Sequence, residues 1–429
     1  MTSRRIALTL LALLALGVAA VATMIALNHR DEQAAAGGPV TSNDASIARG
    51  LYLTRAGDCI GCHTARGGTP YAGGRGIETP FGTVYAPNLT PDRDTGLGEW
   101  SADDFWRALH NGRARDGRLL YPAFPYPNYT RVTRADADAM YVYLRSLPAV
   151  RQVNRAHELR FPFDLQPALA VWRALFFEPG AYRADAARDA SWNRGAYLVE
   201  GLGHCNACHS KRNALGAPSG PLDLAGGLIP VQNWYAPSLT AADESSVVGW
   251  DVADVVALLR DGRSPRGTVM GPMSEVVLNS TQHLSNDDLV AIARFLQSLP
   301  ATPPSARSSA GSKAATADAA ARGARLYADR CAACHGERGE GVPGAYPALA
   351  GSRAVTMDSS ANLVHIVLEG GFPPSTTGNP RPFGMPPFAT FLSNDDVSDL
   401  LSHIRRAWGN RAAPVSPLEV ARYRDTGRP

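Results

Sequence analysis

Six cysteines carry the most evident chemistry of this sequence, and they occur as three identical signatures. Each is a Cys-x-x-Cys pair followed directly by a histidine, namely His63, His209 or His335. With 6 cysteines and 10 histidines in 429 residues, chance would produce about 0.002 such signatures. Two thiols beside an imidazole at this spacing form the attachment site of a c-type haem, in which thioether bonds hold the porphyrin and the histidine binds the iron. We therefore expect three covalent haems, attached at Cys59 and Cys62, Cys205 and Cys208, and Cys331 and Cys334.

Zinc, disulfide bonds and a thioredoxin-like redox pair are the alternative interpretations of these cysteines. A zinc site needs four clustered ligands, and each signature offers three before a long gap. Six cysteines in an exported protein could also form a disulfide framework. The three identical signatures, with no cysteine left over, favour haem.

A second axial ligand is expected on the other side of each iron. Electron-transfer haems usually have both positions filled, and methionine opposite histidine raises the potential. The second repeat offers Met270 and Met273, of which Met273 is preferred because Pro272 precedes it and makes the loop rigid. The third repeat offers Met385, followed by two prolines, with Met357 as the less favoured candidate.

The first repeat departs from this pattern. No methionine lies between His63 and the closing helix, and Phe124 stands where the sulfur is expected. Met140 falls on the apolar face of that helix and is interpreted as core. His110 could bind the iron, but the residue 150 positions later is Arg260, so the repeats do not share that role. We expect this haem to be five-coordinate, or to be bound by another residue or water, with a lower potential.

Short helices must position these signatures, and they recur in each repeat. An Arg-Gly pair followed by apolar residues at helical spacing precedes every signature. A helix closes every repeat, with Thr133, Ser285 or Ser393 as its predicted N-cap and an acid three residues later. The first two repeats share further segments at a constant offset of 150, such as "APNLT" and "APSLT".

These elements predict a mostly α fold of three tandem domains joined by loops rich in glycine (41) and proline (32). Residues 160–180 carry several aromatic side chains, which suit either a docking surface or interdomain core. The predicted boundaries are 1–44 (anchor or signal, with linker), 45–150 (first domain), 151–187 (interdomain segment), 188–300 (second domain), 301–317 (flexible linker), 318–410 (third domain) and 411–429 (tail).

The N-terminus predicts export. After Arg4 and Arg5, residues 6–27 form an uncharged apolar run of 22, long enough as a helix to cross a bilayer. Small residues at 20–22 also suit a cleavable signal peptide. Both alternatives place the remaining chain on the periplasmic side of the inner membrane. The net charge of +3, with scattered basic residues, excludes a nucleic-acid footprint.

The sequence resembles the triheme cytochrome c subunits of membrane-bound bacterial dehydrogenases, such as those acting on alcohol, gluconate, sorbitol or fructose. The resemblance covers residues 45–410 and rests on the three signatures together with "DGRLLYPAFPYPNY", "GPMSEVVLNSTQHLS" and "GMPPFATFLSNDDV". It implies three tandem class I cytochrome c domains, with Met273 and Met385 as axial ligands. The family has methionine in the context "YPAMPYP", where this chain has Phe124.

The resemblance also implies a function as an electron relay. Electrons would pass from a catalytic quinoprotein, flavoprotein or molybdoprotein subunit through the haems to ubiquinone or a terminal oxidase, and no organic substrate would be oxidised on this chain. Two rival functions are a peroxidase-like enzyme with an open haem in the first domain, and a free electron shuttle or oxidase subunit without a dehydrogenase partner.

Overall fold

The structure is a computed structural model that describes residues 3–29, 40–220, 223–303 and 317–424. It is mostly helical, as predicted. The α-helices in chain order are α1 (Ser3–Asn28), α2 (Asp44–Ala56), α3 (Cys59–Cys62), α4 (Ala102–Asn111), α5 (Tyr126–Tyr129), α6 (Arg134–Ser146), α7 (Gln166–Phe176), α8 (Ala190–Tyr197), α9 (Asn206–His209), α10 (Val252–Asp261), α11 (Pro272–Asn279), α12 (Asn286–Gln297), α13 (Ala317–Arg330), α14 (Ala332–His335), α15 (Arg353–Thr356), α16 (Ala361–Glu369), α17 (Asn394–Ile404) and α18 (Pro417–Arg424).

Three small antiparallel sheets accompany the helices. The first has the order β1 (Gly76–Thr79), β2 (Gly82–Tyr85) and β3 (Glu158–Leu159). The other two are the pairs β4 (Gly227–Leu228) with β5 (Tyr235–Ala236), and β6 (Arg263–Ser264) with β7 (Gly267–Thr268). Strands this short hold loops in register and leave the helices to form the core.

Within the described residues the chain divides into two compact units. The first consists of Met1–Leu53, Cys62–Arg183 and Ala214–Ala217. The second consists of Thr54–Gly61, Ala184–Asn213 and Pro218–Pro429, and it contains the third repeat and all of the second except Ala214–Ala217. The boundaries of the three domains remain a prediction. Most of the predicted linker, residues 304–316, lies outside the described residues.

The Arg-Gly pair before each signature explains how the first and last helices of a repeat meet. A Cβ atom built on any of three glycines would collide with a backbone carbonyl oxygen of the closing helix, that of Ala139, Ala291 or Asp399. Only glycine permits so close an approach of two helices. The glycines are Gly50, Gly195 and Gly323.

The neighbouring arginines bind the same closing helices. Arg49 pairs with Asp136 in the first repeat, and Arg194 pairs with Asp288 at 2.7 Å in the second. In the third repeat Arg322 lies 2.8 Å from Asp399. Each ion pair therefore fixes the crossing that its neighbouring glycine allows.

The predicted N-caps of the closing helices are confirmed. The side chains of Thr133, Ser285 and Ser393 accept hydrogen bonds from the backbone N–H groups of Asp136, Asp288 and Asp396. The second repeat differs at its first helix, because α8 continues as a π-helical turn over Leu198–Leu202. Such a turn accommodates extra residues within a helix, and here it lies between Gly195 and Cys205.

The third repeat has a continuous apolar core. Buried residues of α13, α16 and α17 form it together with Cys331, and Met385 packs against it. Residues 411–429, predicted to be a tail, include α18, whose Val420 and Tyr423 are buried in this core.

One helix in the described part of the chain, α1, is long and apolar enough to cross a membrane, over Leu8–Asn28. The leucines from Leu8 to Leu16 are exposed, with 69% of Leu14 accessible. Its last residue, Asn28, is buried instead: its side-chain amide donates to the carbonyl oxygen of Ala170 in α7 at 2.9 Å.

Candidate haem sites

Each signature folds into a single helical turn. Cys59 and Cys62 begin and end α3, Cys205 caps α9, and Cys331 caps α14. Residues i, i+3 and i+4 share one face of a helix, so this turn places two thiols and an imidazole on the same side. The six cysteines, all described, form no disulfide bond.

Cys205 and Cys331, the first cysteines of the second and third signatures, are protonated at neutral pH. Burial raises the pKa of Cys205 to about 12 and that of Cys331 to about 11. A buried thiol is uncharged, and the thioether that would replace it carries no charge either, so these surroundings are compatible with a thioether.

All three histidines donate the same hydrogen bond. The Nδ1 atom lies 2.8 Å from the carbonyl oxygen of Pro87 in His63, 2.7 Å from that of Pro237 in His209 and 2.9 Å from that of Pro347 in His335. A carbonyl oxygen can only accept, so the proton resides on Nδ1 and the Nε2 lone pair is left for a metal. This bond is the second contact that metal-binding histidines usually make.

The protonation state of these rings also suits metal binding. Burial lowers the pKa of His63, His209 and His335, and the hydrogen bond to the proline carbonyl opposes that shift in each case. The neutral imidazole, which is the form that ligates iron, is therefore favoured at pH 7.

A glycine braces every histidine–proline pair. Its N–H donates to the carbonyl oxygen of the signature histidine at 2.8 to 2.9 Å. Its φ lies between 68° and 78°, in the left-handed region, and a Cβ atom there would lie 2.5 to 2.9 Å from the carbonyl carbon of the proline. Both the backbone conformation and the close approach require glycine. The three residues are Gly73, Gly226 and Gly341.

Sequence reasoning missed these prolines and glycines. One signal was available, because each proline begins a Pro-x-Leu segment in its repeat, at Pro87, Pro237 and Pro347. The leucine N–H in these segments also returns to the loop after the signature, as Leu349 does to the carbonyl oxygen of Gly339 at 2.7 Å.

The candidate methionine ligands have different surroundings. Met385 is held by Gly371 through two reciprocal backbone hydrogen bonds of 2.8 and 2.9 Å, and it packs against the cluster that contains Cys331. The structure thus brings Met385 and the third signature into one core. Met357 is also buried, and its carbonyl oxygen accepts from Arg405 at 3.0 Å.

In the second repeat the two methionines point to different places. The methyl group of Met270 is 3.6 Å from a Cβ built on Gly371, a residue of the third repeat. Met273 is the second residue of α11, directly after Pro272. Met273 stays the predicted ligand of the second haem.

In the first repeat the structure places Phe124 among aromatic rings. Its ring centroid lies 5.3 Å from that of Tyr129 and 6.4 Å from that of Tyr126. Met140 is 1% exposed in the interior of α6.

Comparison with known proteins agrees with this geometry. The family model described as "Cytochrome c" matches residues 47–148 and 320–408. The chain is 38% identical to the cytochrome c subunit of alcohol dehydrogenase (quinone) of Gluconobacter oxydans, over 90% of this chain and 84% of that protein. It is 39% identical to the gluconate 2-dehydrogenase cytochrome c subunit of Pantoea cypripedii, over 89% and 90%. It is 33% identical to the fructose dehydrogenase cytochrome subunit of Gluconobacter japonicus, over 91% and 85%.

Proposed function

The chain belongs to the family of cytochrome c subunits of dehydrogenases, and from that premise we propose that it relays electrons from a catalytic dehydrogenase subunit to membrane quinone through three covalent haems. The names of the three relatives support a catalytic partner of this kind. None of those three is named as a peroxidase or as a free shuttle, the two rival functions.

The observation that carries the proposal is the threefold histidine–proline hydrogen bond. The sequence separation between histidine and proline differs in every repeat, being 24, 28 and 12 residues, yet the same bond of 2.7 to 2.9 Å forms. Loops of three different lengths thus hold all three signature histidines in the same Nδ1-protonated form. Binding of a metal at Nε2 accounts for this shared feature.

In this proposal each repeat tethers, orients and shields one haem, which supplies a one-electron iron couple when bound. The cysteine thiols provide the covalent attachment. The proline carbonyl fixes the ring orientation of the histidine and raises its basicity. Met273 and Met385 would provide the thioether ligands of the second and third sites, and the apolar cluster against which Met385 packs would exclude water from the third.

The proposed location is the periplasmic face of the inner membrane. The exposed apolar helix α1 supports an anchor, and the basic pair Arg4 and Arg5, which precedes its apolar span Leu8–Asn28, favours a cytoplasmic N-terminus. Quinone, which is dissolved in the bilayer, would then be the adjacent acceptor.

Haem content tests the cofactor proposal directly. We expect the intact mass of the chain, purified from a host that matures c-type cytochromes, to include three haem groups. Replacing Cys205 and Cys208 by serine should remove one of them. His204→Asn is the matched control, because this histidine neighbours the signature without belonging to it, and its φ of 36° suits asparagine. A wild-type mass without three haems would contradict the proposal.

Purification from native membranes tests the partner. A large subunit should copurify, and its cofactor, whether quinone, flavin or molybdenum, identifies the class of dehydrogenase. In this complex His209→Ala should abolish reduction of a ubiquinone analogue and spare reduction of a dye that accepts electrons at the catalytic subunit. Equal loss of both activities, or peroxide turnover by the isolated chain, would argue against the relay.

A further inference from the structure

The first repeat lacks the axial methionine, and the backbone register of the structure shows which residue replaced it. Helices α4 and α10 both end at a left-handed glycine, Gly112 with φ 57° and Gly262 with φ 73°. In each repeat the returning chain donates to that glycine: Leu120 N–H to Gly112 at 2.8 Å, and Val269 N–H to Gly262 at 2.9 Å. Leu120 and Val269 are therefore structural equivalents.

The turn between these anchors differs by one residue. In the first repeat Arg113 pairs with Leu119, whereas in the second Arg263 pairs with Thr268. The constant offset of 150 between the repeats consequently becomes 149 after the turn.

With this register Phe124 occupies the position of Met273. Both lie four residues beyond the equivalent residues Leu120 and Val269. A phenyl ring has no lone pair for iron. The position that supplies sulfur to the second site in our proposal therefore supplies no ligand to the first.

Met140 does not take over the role. It lies seven residues after the N-cap of α6, and the corresponding positions of α12 and α17 hold Ile292 and Leu400. These three side chains are 1%, 8% and 1% exposed. Because isoleucine and leucine cannot bind iron, this is a core position in all three repeats.

Two further histidines of the first unit, His110 and His157, are held by other groups. Nδ1 of His157 accepts from the N–H of Tyr85 at 3.1 Å, so its proton is on Nε2 and that atom has no lone pair for a metal. His110 is 1% exposed and its ring stacks on Trp106 at 4.5 Å, which packs it into the core. Its Nδ1 lies 3.0 Å from the carbonyl oxygen of Thr130, which leaves a lone pair on Nε2, so replacement of His110 by alanine tests whether that atom binds the iron.

We propose that the haem of the first repeat has no side-chain ligand opposite His63 and binds a small exogenous ligand there, such as carbon monoxide, cyanide or imidazole. This inference rests on the proposed attachment of a haem at Cys59 and Cys62. Phe124 takes the place of the methionine in this site and supplies no ligand, while its ring packs against those of Tyr126 and Tyr129.

Carbon monoxide titration of the reduced, full-length protein tests the proposal. With three haems confirmed by mass, we expect one carbon monoxide bound per chain. Phe124→Met should reduce this to none, and Phe391→Met, at a 73% exposed position of the third repeat, should leave it at one. Met273→Ala should raise it to two.

The number of carbon monoxide molecules bound per wild-type chain tests the open site even if a variant fails to fold. No carbon monoxide bound to a chain carrying three haems would overturn the open site and leave the relay intact. If His110→Ala then binds one equivalent, His110 is the ligand. A chain carrying fewer than three haems would instead contradict the proposed function.

A second, independent inference concerns α7, whose polarity is inverted. Its sole charged residue, Arg173, is 3% exposed, whereas Val171 and Leu175 are 47% and 64% exposed. The guanidinium donates to Asn28 Oδ1 at 3.0 Å and to the carbonyl oxygen of Asn111 at 2.6 Å. A helix that buries its charge and exposes its apolar side chains is suited to an apolar environment.

The neighbouring helix α1 indicates what covers the exposed apolar face of α7. Asn28 ends the candidate membrane span, and it contacts both Ala170 and Arg173 of α7. The exposed face of α7 thus begins where α1 leaves the apolar layer. The geometry points to α7 as a helix that lies in the lipid interface beside the anchor.

Photolabelling in proteoliposomes tests this surface. With an apolar photoactivatable lipid, we expect adducts on residues 166–176 as well as on α1, and none on Leu418 and Phe391, which are more exposed than Val171 and Leu175. Leu175→Glu should reduce the α7 adducts several-fold without releasing the protein. Labelling of α1 without α7, or cross-linking of α7 to a protein partner, would refute lipid contact.

Discussion

The metal-binding capacity of each signature histidine depends on a backbone contact that its own motif does not encode. The cysteines and histidines could be proposed as haem-binding residues from the sequence, because a c-type haem requires this spacing. The prolines were not, because 24, 28 and 12 residues separate them from their histidines. Only folding of the intervening loop, through a left-handed glycine, brings each carbonyl oxygen to its ring.

Replacement of the bracing glycine should therefore impair the site. We expect Gly73→Ala to destabilise the protein by about 2 kcal/mol or more, because the φ of 78° disfavours a side chain and the Cβ would lie 2.5 Å from the carbonyl carbon of Pro87. Thermal unfolding and haem content measure the effect.

Gly67→Ala is the control for this variant. Gly67 has a similar φ of 72° in the same loop, but a Cβ atom there meets nothing within 4 Å. It should cost about 1 kcal/mol from the backbone alone and leave haem content unchanged. Equal effects of the two substitutions would show that contact with Pro87 is unimportant.

At the scale of elements, the crossing of the first and last helices organises every repeat. The sequence predicted both helices and the caps of the second, because capping and apolar spacing are local signals. It also displayed the Arg-Gly pairs, but their function needed the structure, since the partners Asp136, Asp288 and Asp399 lie 77 to 94 residues away.

Gly195→Ala tests whether the crossing of α8 and α12 accepts an added methyl group. Gly195→Ala should gain about 1 kcal/mol of helix propensity but lose more, because the added Cβ would collide with the carbonyl oxygen of Ala291. We expect net destabilisation of about 1–3 kcal/mol by chemical denaturation.

Gly267→Ala serves as the comparison, since it has open space and no left-handed φ. It should change the free energy of unfolding by less than about 0.5 kcal/mol. If Gly195→Ala were instead stabilising, close helix approach would not be the reason for the glycine.

At the scale of the whole molecule, the sequence predicted three domains in a row, whereas the structure places the second and third repeats in one compact unit. No periodic pattern could reveal this, because the contacts are made by single polar groups that are far apart in the sequence. The N–H and carbonyl groups of Tyr235 in β5 form two 2.8 Å hydrogen bonds with the side-chain amide of Asn362 in α16. Arg353 donates to the carbonyl oxygen of Ser246 at 2.7 Å.

Aromatic stacking reinforces the same contact. The rings of Trp234 and His365 lie 4.9 Å apart with an interplanar angle of 19°. Gly271, two residues before Met273, packs against the same indole. The distal loop of the second repeat is thus positioned partly by the third repeat, which makes the unit well suited to holding two haems in a fixed arrangement.

Removal of the Asn362 side chain should uncouple the two repeats. In the wild type we expect amides of α12 and α17 to exchange hydrogen with similar opening free energies, because the repeats open as one unit. Asn362→Ala removes two hydrogen bonds worth about 1 kcal/mol each, so the opening free energy of α17 should fall below that of α12 by about 1–2 kcal/mol.

Ser375→Ala is the control, because the Ser375 hydroxyl donates to the carbonyl oxygen of Pro380 within its own loop at 3.0 Å. In this variant, hydrogen-exchange mass spectrometry should give similar opening free energies for α12 and α17. Persistent matching in Asn362→Ala would mean that these hydrogen bonds do not hold the unit together.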